Sequence, residues 1–270
     1  MPKSSEVKKT NIELFKRTAQ VFDEKNTELF NTFEQRSLDK RLRKANQTCK
    51  KHQICCDLAC GTGNLIERQI GEFKEVIGLD ISRRMIEICK AKGLGNKACF
   101  LVGDAENLPF RDNIFDMVTM HAALHHVPSL SSCFKEIYRV LPKEGIMYID
   151  HEPNSAKVRF RRWKVQGILG LIVNVYARKH KNEQPQGDPL VPPEYRTADI
   201  QEEGFIPQAV RERLKTTGFD EIRTRYHNVF SPHFFKLPPP FKVLSLVNDL
   251  LDSFPLVKRY SSTICIWARK

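Results

Sequence analysis

Apolar residues along the chain change their spacing twice, and each change marks a boundary. Between residues 11 and 45 they recur at helical intervals, at Ile12, Phe15, Ala19 and Phe22 and then at Leu29, Phe30, Phe33 and Leu38. This predicts an N-terminal helical arm over residues 1–52, with a basic run from Lys40 to Lys44 facing solvent. From Gln53 the pattern becomes short, nearly continuous apolar runs alternating with helical periodicity. It predicts strands at residues 54–58, 75–79, 98–102, 116–120 and 145–150. The helices between them cover residues 64–70, then run from an N-cap at Ser82 to a stop at Gly93 and Gly95, then cover 130–141. Strands that are apolar on both faces belong to a parallel sheet covered by helices on both sides.

The alternation then breaks. Residues 152–206 separate the fifth strand from a helix at 207–217 that carries Pro207 in its first turn. A sixth strand at 219–227 is separated from a seventh at 262–268 by residues 231–260, which hold Pro238-Pro239-Pro240 and an amphipathic stretch with Val243, Leu244, Val247 and Leu251. Segments of this length inside a domain are functional or carry their own structure. The expected organisation is an arm or cap at 1–52 and one α/β domain at 53–270, with 152–206 and 231–260 as elements covering a substrate.

Charge narrows the partners. Against 32 acidic residues stand 44 basic ones, a formal charge of +12, which favours nucleic acid, acidic lipid headgroups or an acidic substrate. Within the first insertion Arg159, Arg161, Arg162, Trp163 and Lys164 precede an apolar run at 168–173, basic residues follow at 178–181, and no acid lies between Glu152 and Glu183. The run is too short for a bilayer, which needs about 20 residues. It reads as a lid helix burying its apolar face, or as a basic amphipathic helix on an anionic membrane or over a lipid-like acceptor.

The eight cysteines include no Cys-x-x-Cys pair, and His52, Cys55, Cys56 and Cys60 lack zinc-finger spacing, so no metal site is expected. Cys55, Cys56, Cys99 and Cys265 lie in strand-like runs and read as small hydrophobes. The first ten residues are polar and basic, without the apolar core of a secretory signal. The expected location is the cytoplasm, with peripheral contact at the inner face of the membrane.

Chemistry concentrates at the stretch from Ile54 to Asn64, a strand, an Asp and a turn of small residues. Such a turn lets a ligand sit against the main chain at the carboxyl end of a parallel strand. A dinucleotide fingerprint needs a small residue where this chain has Ile66, and no Gly-Lys-Ser/Thr phosphate loop exists. What the chain has instead is an acid at or just after each of three strand ends: Asp57, Asp80 and Asp104. These suit a nucleoside without phosphates joined to a sulfonium-bearing amino acid, with charge-assisted bonds to its ammonium, ribose hydroxyls and adenine amino group.

The successive motifs Asp57-Leu-Ala-Cys-Gly-Thr-Gly63, Gly78-Leu-Asp80-Ile-Ser82, Gly103-Asp104-Ala-Glu-Asn-Leu-Pro-Phe110 and Phe115-Asp116 with Leu124-His125-His126 resemble those of class I S-adenosylmethionine-dependent methyltransferases. Within that class the chain is most similar to the small-molecule branch of ubiquinone and menaquinone biosynthesis. The resemblance is strong over residues 53–151 and weak over 205–230 and 260–270. It implies a Rossmann-like three-layer sandwich with a seven-stranded, mostly parallel sheet of order 3-2-1-4-5-7-6 and an antiparallel last strand. It implies S-adenosyl-L-methionine as cofactor, released as S-adenosyl-L-homocysteine. Asp57, Gly61 and Gly63 would line the methionine end, Asp80 would bind the ribose, Ile81 would pack on adenine, and Asp104 and Ala105 would meet its edge. His121 would lie beside the cofactor, with Ala59, Cys60, Met85 and Gly103 completing the lining.

Methyl transfer from a sulfonium is an in-line displacement and depends chiefly on positioning. A base is needed only if the acceptor carries a proton that must leave. His125, His126, His151 and Glu152 stand at strand ends and are the candidates, the first two also suiting a packing role. The expected acceptor is small and hydrophobic, lipid- or quinone-like, methylated on oxygen or carbon. The alternatives are an RNA or protein methyltransferase using the basic surface, or a cofactor-binding partner subunit without catalysis. The amino-methylating members of the class carry Asn/Asp-Pro-Pro-Tyr/Phe after strand four, where this chain has His121-Ala-Ala-Leu.

Overall fold

A computed structural model of the chain describes residues 3–94, 96–155, 204–227 and 261–270. The basic helix expected near residues 159–181 and the amphipathic stretch expected within 231–260 lie outside the described residues.

The arm is a series of helices rather than a continuous one: α1 (Ser4–Thr18), a 3-10 turn at Ala19–Val21, α2 (Phe22–Lys25), α3 (Thr27–Phe30) and α4 (Thr32–Asn46). Asn26 and Asn31 leave helical geometry between them, and the Asn31 side chain accepts from the Glu34 backbone N–H, a cap worth about 1 kcal/mol. From Ile54 onward strands and helices alternate: β1 (Ile54–Leu58), α5 (Ile66–Gln69), β2 (Glu75–Asp80), α6 (Arg83–Ala91), β3 (Ala98–Val102) and β4 (Met117–His121). Then come a 3-10 turn at Leu124–His126, α7 (Leu130–Val140), β5 (Ile146–Pro153), α8 (Pro207–Thr217), β6 (Glu221–His227) and β7 (Thr263–Arg269). Helix α5 is a single turn because the positive backbone φ angles of Gly61 and Gly63 hold residues 61–65 in turns.

The seven strands form one sheet of order β3-β2-β1-β4-β5-β7-β6. The first five are parallel, and β7 runs antiparallel to both β5 and β6. This is the expected Rossmann-like sandwich. Helix α4 buries Leu38, Leu42 and Ala45 on one face, against Cys55, Met117 and Ile146. Helices α7 and α8 bury Phe134, Ile137 and Leu214 on the other. Each such side chain contributes roughly 1.5–3 kcal/mol of transfer free energy. Cys99 is exposed rather than buried, because β3 is the sheet edge.

Strand β5 runs three residues beyond its expected end, since β7 continues to pair with it as far as Pro153. The register slips between Ile149 and Glu152, so Asp150 and His151 occupy a bulge, and His151 has φ +60°. Bulges re-aim side chains at sheet ends. The chain leaves β1 for β2 and β3 and returns on the other side at β4. The carboxyl ends of β1 and β4 therefore flank the crevice where sheets of this kind bind ligands.

Candidate functional site

At the mouth of that crevice the backbone leaves β1 through Ala59 at φ +50° and Gly61 at φ +54°. Left-handed geometry turns the chain sharply over the strand end. Gly61 then donates its N–H to Asp80 Oδ2 at 2.9 Å, and Ser82 donates its own to Asp80 Oδ1 at 2.8 Å. The position of a Gly61 Cβ is open space, so a ligand has room against the main chain there. Ala122 after β4 also sits at φ +50°, its N–H bound to the Asp150 carbonyl at 2.9 Å. Three adjacent strand ends of the sheet thus each carry a residue in the left-handed region, a clustering found at functional sites.

The crevice is a cavity of about 1010 Å³, counting its open mouth. Asp57, Ala59, Cys60, Gly61, Asp80 and Ile81 border it, as do Met85, Gly103, Asp104, Ala105 and His121. Gly63, also expected there, is not among its lining. The arm supplies a further wall, with Phe15, Phe22, Leu29 and Phe30 beside the polar Lys8 and Asn11. Lys8 reaches Asp104 at 2.7 Å and Glu106 at 2.5 Å, so α1 is tied to the loop after β3.

Electrostatics divide the acids. Burial pushes the Asp57 carboxyl up to about 8, against the hydrogen bond it accepts from Thr119 Oγ1 at 2.8 Å, and neighbouring Asp80 adds to the rise. Burial also raises Asp80, to about 6, while its two backbone donors hold it down. Buried acids raised in this way favour a cationic ligand that restores their charge.

The four base candidates separate. His126 borders the cavity and packs edge-on against Phe15 at 5.3 Å between ring centroids. Glu152 is fully buried and accepts four bonds from the loop after β4: Ala123 N–H at 2.9 Å, Leu124 N–H at 2.8 Å, His125 N–H at 3.2 Å and His125 Nδ1 at 2.9 Å. Although burial opposes it, His125 holds the Glu152 carboxyl below the usual range. Glu152 therefore fixes the loop that carries Ala122, Ala123 and His126, and His125 serves it. His151 is buried behind His121, with ring centroids 5.6 Å apart.

Beyond these histidines lies a polar cluster that the sequence pattern does not announce. Arg41 places Nε on Asp150 Oδ2 at 2.9 Å and Nη2 on Glu34 Oε1 at 2.6 Å. The basic run was expected to face solvent, yet Arg41 is only 12% exposed, because it turns inward from α4 to meet these carboxylates. Tyr148 donates its hydroxyl to Asp150 Oδ2 at 2.5 Å, and His227 Nε2 lies 2.9 Å from Asp150 Oδ1. Glu34, His151 and His227 bring one ligand atom each within 4.8 Å of one another, which makes them able to hold a metal ion. The one local signal was Glu34, four residues before Leu38 on the apolar stripe of α4.

Known proteins agree with this geometry. The family described as a methyltransferase domain matches residues 56–149. A demethylmenaquinone methyltransferase of Lactobacillus johnsonii is 35% identical over 140 residues, which are 49% of this chain and 57% of that protein. A 2-phytyl-1,4-naphtoquinone methyltransferase of Nostoc sp. is 30% identical over 166 residues, 58% of this chain and 72% of that protein. The chain thus spans little more than half the length of the first relative. The phosphoethanolamine N-methyltransferase 2 of Haemonchus contortus, in complex with S-adenosyl-L-methionine, shares the fold with a TM-score of 0.55 at 17% identity, over 87% of this chain and 52% of that one. On its strand order, its ordered motifs and its coverage of the naphthoquinone relative, this chain belongs to the S-adenosylmethionine-dependent methyltransferase family.

Proposed function

We propose that the chain transfers a methyl group from S-adenosylmethionine to a small hydrophobic acceptor of the quinol class, on oxygen or carbon. The observation that carries the cofactor is the pairing of Asp57 and Asp80 across the Gly61 turn. Asp57 is buried and has no cation beside it among the described residues, so it suits the ligand ammonium. Asp80 is held rigid by two backbone N–H groups and retains lone pairs for ribose hydroxyls. Ile81 and Met85 offer apolar contact to adenine, and Ala105 and Asp104 stand at its edge, Asp104 sharing its charge with Lys8. The bound cofactor supplies an electrophilic methyl group.

The acceptor reading rests on the arm, which presents four large apolar side chains to the cavity, and on the quinone-type relatives. These side chains exclude water and hold the acceptor in line, where positioning provides most of the acceleration. His126, the one base candidate among the described residues that borders the cavity, accepts the acceptor's proton where one must leave. Glu152 positions it through the 3-10 turn at Leu124–His126.

The test is calorimetry and thermal shift with S-adenosylhomocysteine and NAD, followed by label transfer from methyl-labelled S-adenosylmethionine to a prenylated demethylnaphthoquinol. We expect binding and stabilisation by S-adenosylhomocysteine alone, at least a tenfold loss in Asp80→Ala with the fold retained, and label in the naphthoquinol. Unchanged affinity in Asp80→Ala overturns the cofactor assignment. Label that enters RNA or protein and not the quinol overturns the acceptor class.

A further inference from the structure

His121 borders the cofactor cavity, and behind it His151 and His227 follow in a row, with ring centroids 5.6 and 5.8 Å apart. Glu34 closes the row from α4. All three of Glu34, His151 and His227 are buried, at 0%, 8% and 5% exposure. The Glu34 Oε1 to His151 Nδ1 separation is 3.3 Å. That is long for a charge-assisted hydrogen bond, which runs at about 2.7–2.9 Å. It is the spacing of two donors on one tetrahedral ion, about 3.3 Å for metal–ligand bonds of about 2.0–2.1 Å.

His227 is turned for the purpose. Its Nδ1 meets Thr263 Oγ1 at 2.9 Å, which turns Nε2 toward the cluster, where it lies 2.9 Å from Asp150 Oδ1. Fixing one ring nitrogen so that the other can ligate is how proteins prepare an imidazole for a metal. His121 Nε2 is buried without a hydrogen-bond partner among the described residues.

From these observations we infer that Glu34, His151 and His227 form a binding site for a divalent transition-metal ion of the zinc class, a three-residue donor set that leaves a further coordination position open. Imidazole nitrogens with one carboxylate oxygen select zinc, cobalt, nickel or ferrous iron over magnesium or calcium. The site is separate from the cofactor acids Asp57, Asp80 and Asp104, so it does not depend on the cofactor assignment.

The full chain, stripped with a chelator and checked by circular dichroism, should be titrated with Co²⁺ and read by visible absorption. We expect one equivalent bound with the intense spectrum of a four- or five-coordinate ion, displaced by Zn²⁺ and unaffected by excess Mg²⁺. His151→Ala and His227→Ala should each weaken binding at least tenfold, whereas His52→Ala, whose ring packs on Phe73 outside the cluster, should match the natural chain. A weak octahedral spectrum at one equivalent, or an affinity in His151→Ala and His227→Ala equal to that of the natural chain, overturns the site. If either variant fails to fold, the Co²⁺ spectrum and stoichiometry of the natural chain decide alone.

Discussion

Asp57 shows what a single buried carboxyl does to binding. In the free chain burial pushes its pKa up to about 8, so at pH 6 it carries a proton that a cationic ligand must displace. Binding of an ammonium is therefore linked to proton release. The ligand's own ammonium, beside its α-carboxylate, keeps its charge well past neutral pH, so the affinity for S-adenosylhomocysteine should rise by up to about tenfold per pH unit from pH 6 and level off once Asp57 is ionised, near pH 8. Asp57→Asn keeps an oxygen for Thr119 but cannot ionise, and it should lose both the rising limb and most of the affinity. Calorimetry in two buffers of different ionisation enthalpy measures the released proton directly. The same proton count in Asp57→Asn as in the natural chain would show that another group carries the linkage.

At the scale of elements, legibility follows distance along the chain. The strand, the turn and the N-capped helix around Asp57, Asp80 and Ser82 are local patterns, and the sequence carries them in full. The sheet order followed from the ordered motifs rather than from apolar spacing, which does not specify neighbours. Contacts between elements were illegible. Nothing near Lys8 announces Asp104, nothing near Glu34 announces His151, and the bulge that brings Asp150 and His151 to the cluster arises only where β7 pairs with β5. Glu152 has the residue type of a base and stands at a strand end, yet its four donors come from a loop 27 to 29 positions earlier.

The tie between α1 and the loop after β3 has its own consequence. Lys8 and Asp104 are partly exposed, at 23% and 32%, where ion pairs contribute about 0–1 kcal/mol. Lys8→Ala should leave global unfolding within about 1 kcal/mol of the natural chain while raising amide exchange in α1, because local opening and global unfolding draw on different contacts. Saturating S-adenosylhomocysteine should restore part of that protection, since the same helix borders the cavity. Exchange in α1 unchanged by the substitution would show that Phe15 and its apolar neighbours hold the arm without the lysine.

At the scale of the whole molecule, Arg41 ties the arm to the sheet. Its guanidinium holds Glu34 of the arm and Asp150 of the sheet, and Asp150 in turn faces Tyr148 and His227 at the end of β6. Despite burial that would raise them, Arg41 keeps both carboxyls below their ordinary values. Arg41→Met preserves length and apolar packing but leaves two buried acids facing each other, a change that costs about 3–5 kcal/mol when one partner of a buried pair is removed. Pairing it with Glu34→Met removes one of the stranded charges, so the double variant should lose clearly less than the two single losses combined. Urea unfolding of chelator-treated protein, followed by circular dichroism, measures both. A loss below about 1 kcal/mol in Arg41→Met, or strict additivity in the double variant, would mean that the arm is held on the sheet by Leu38, Leu42 and Ala45 alone.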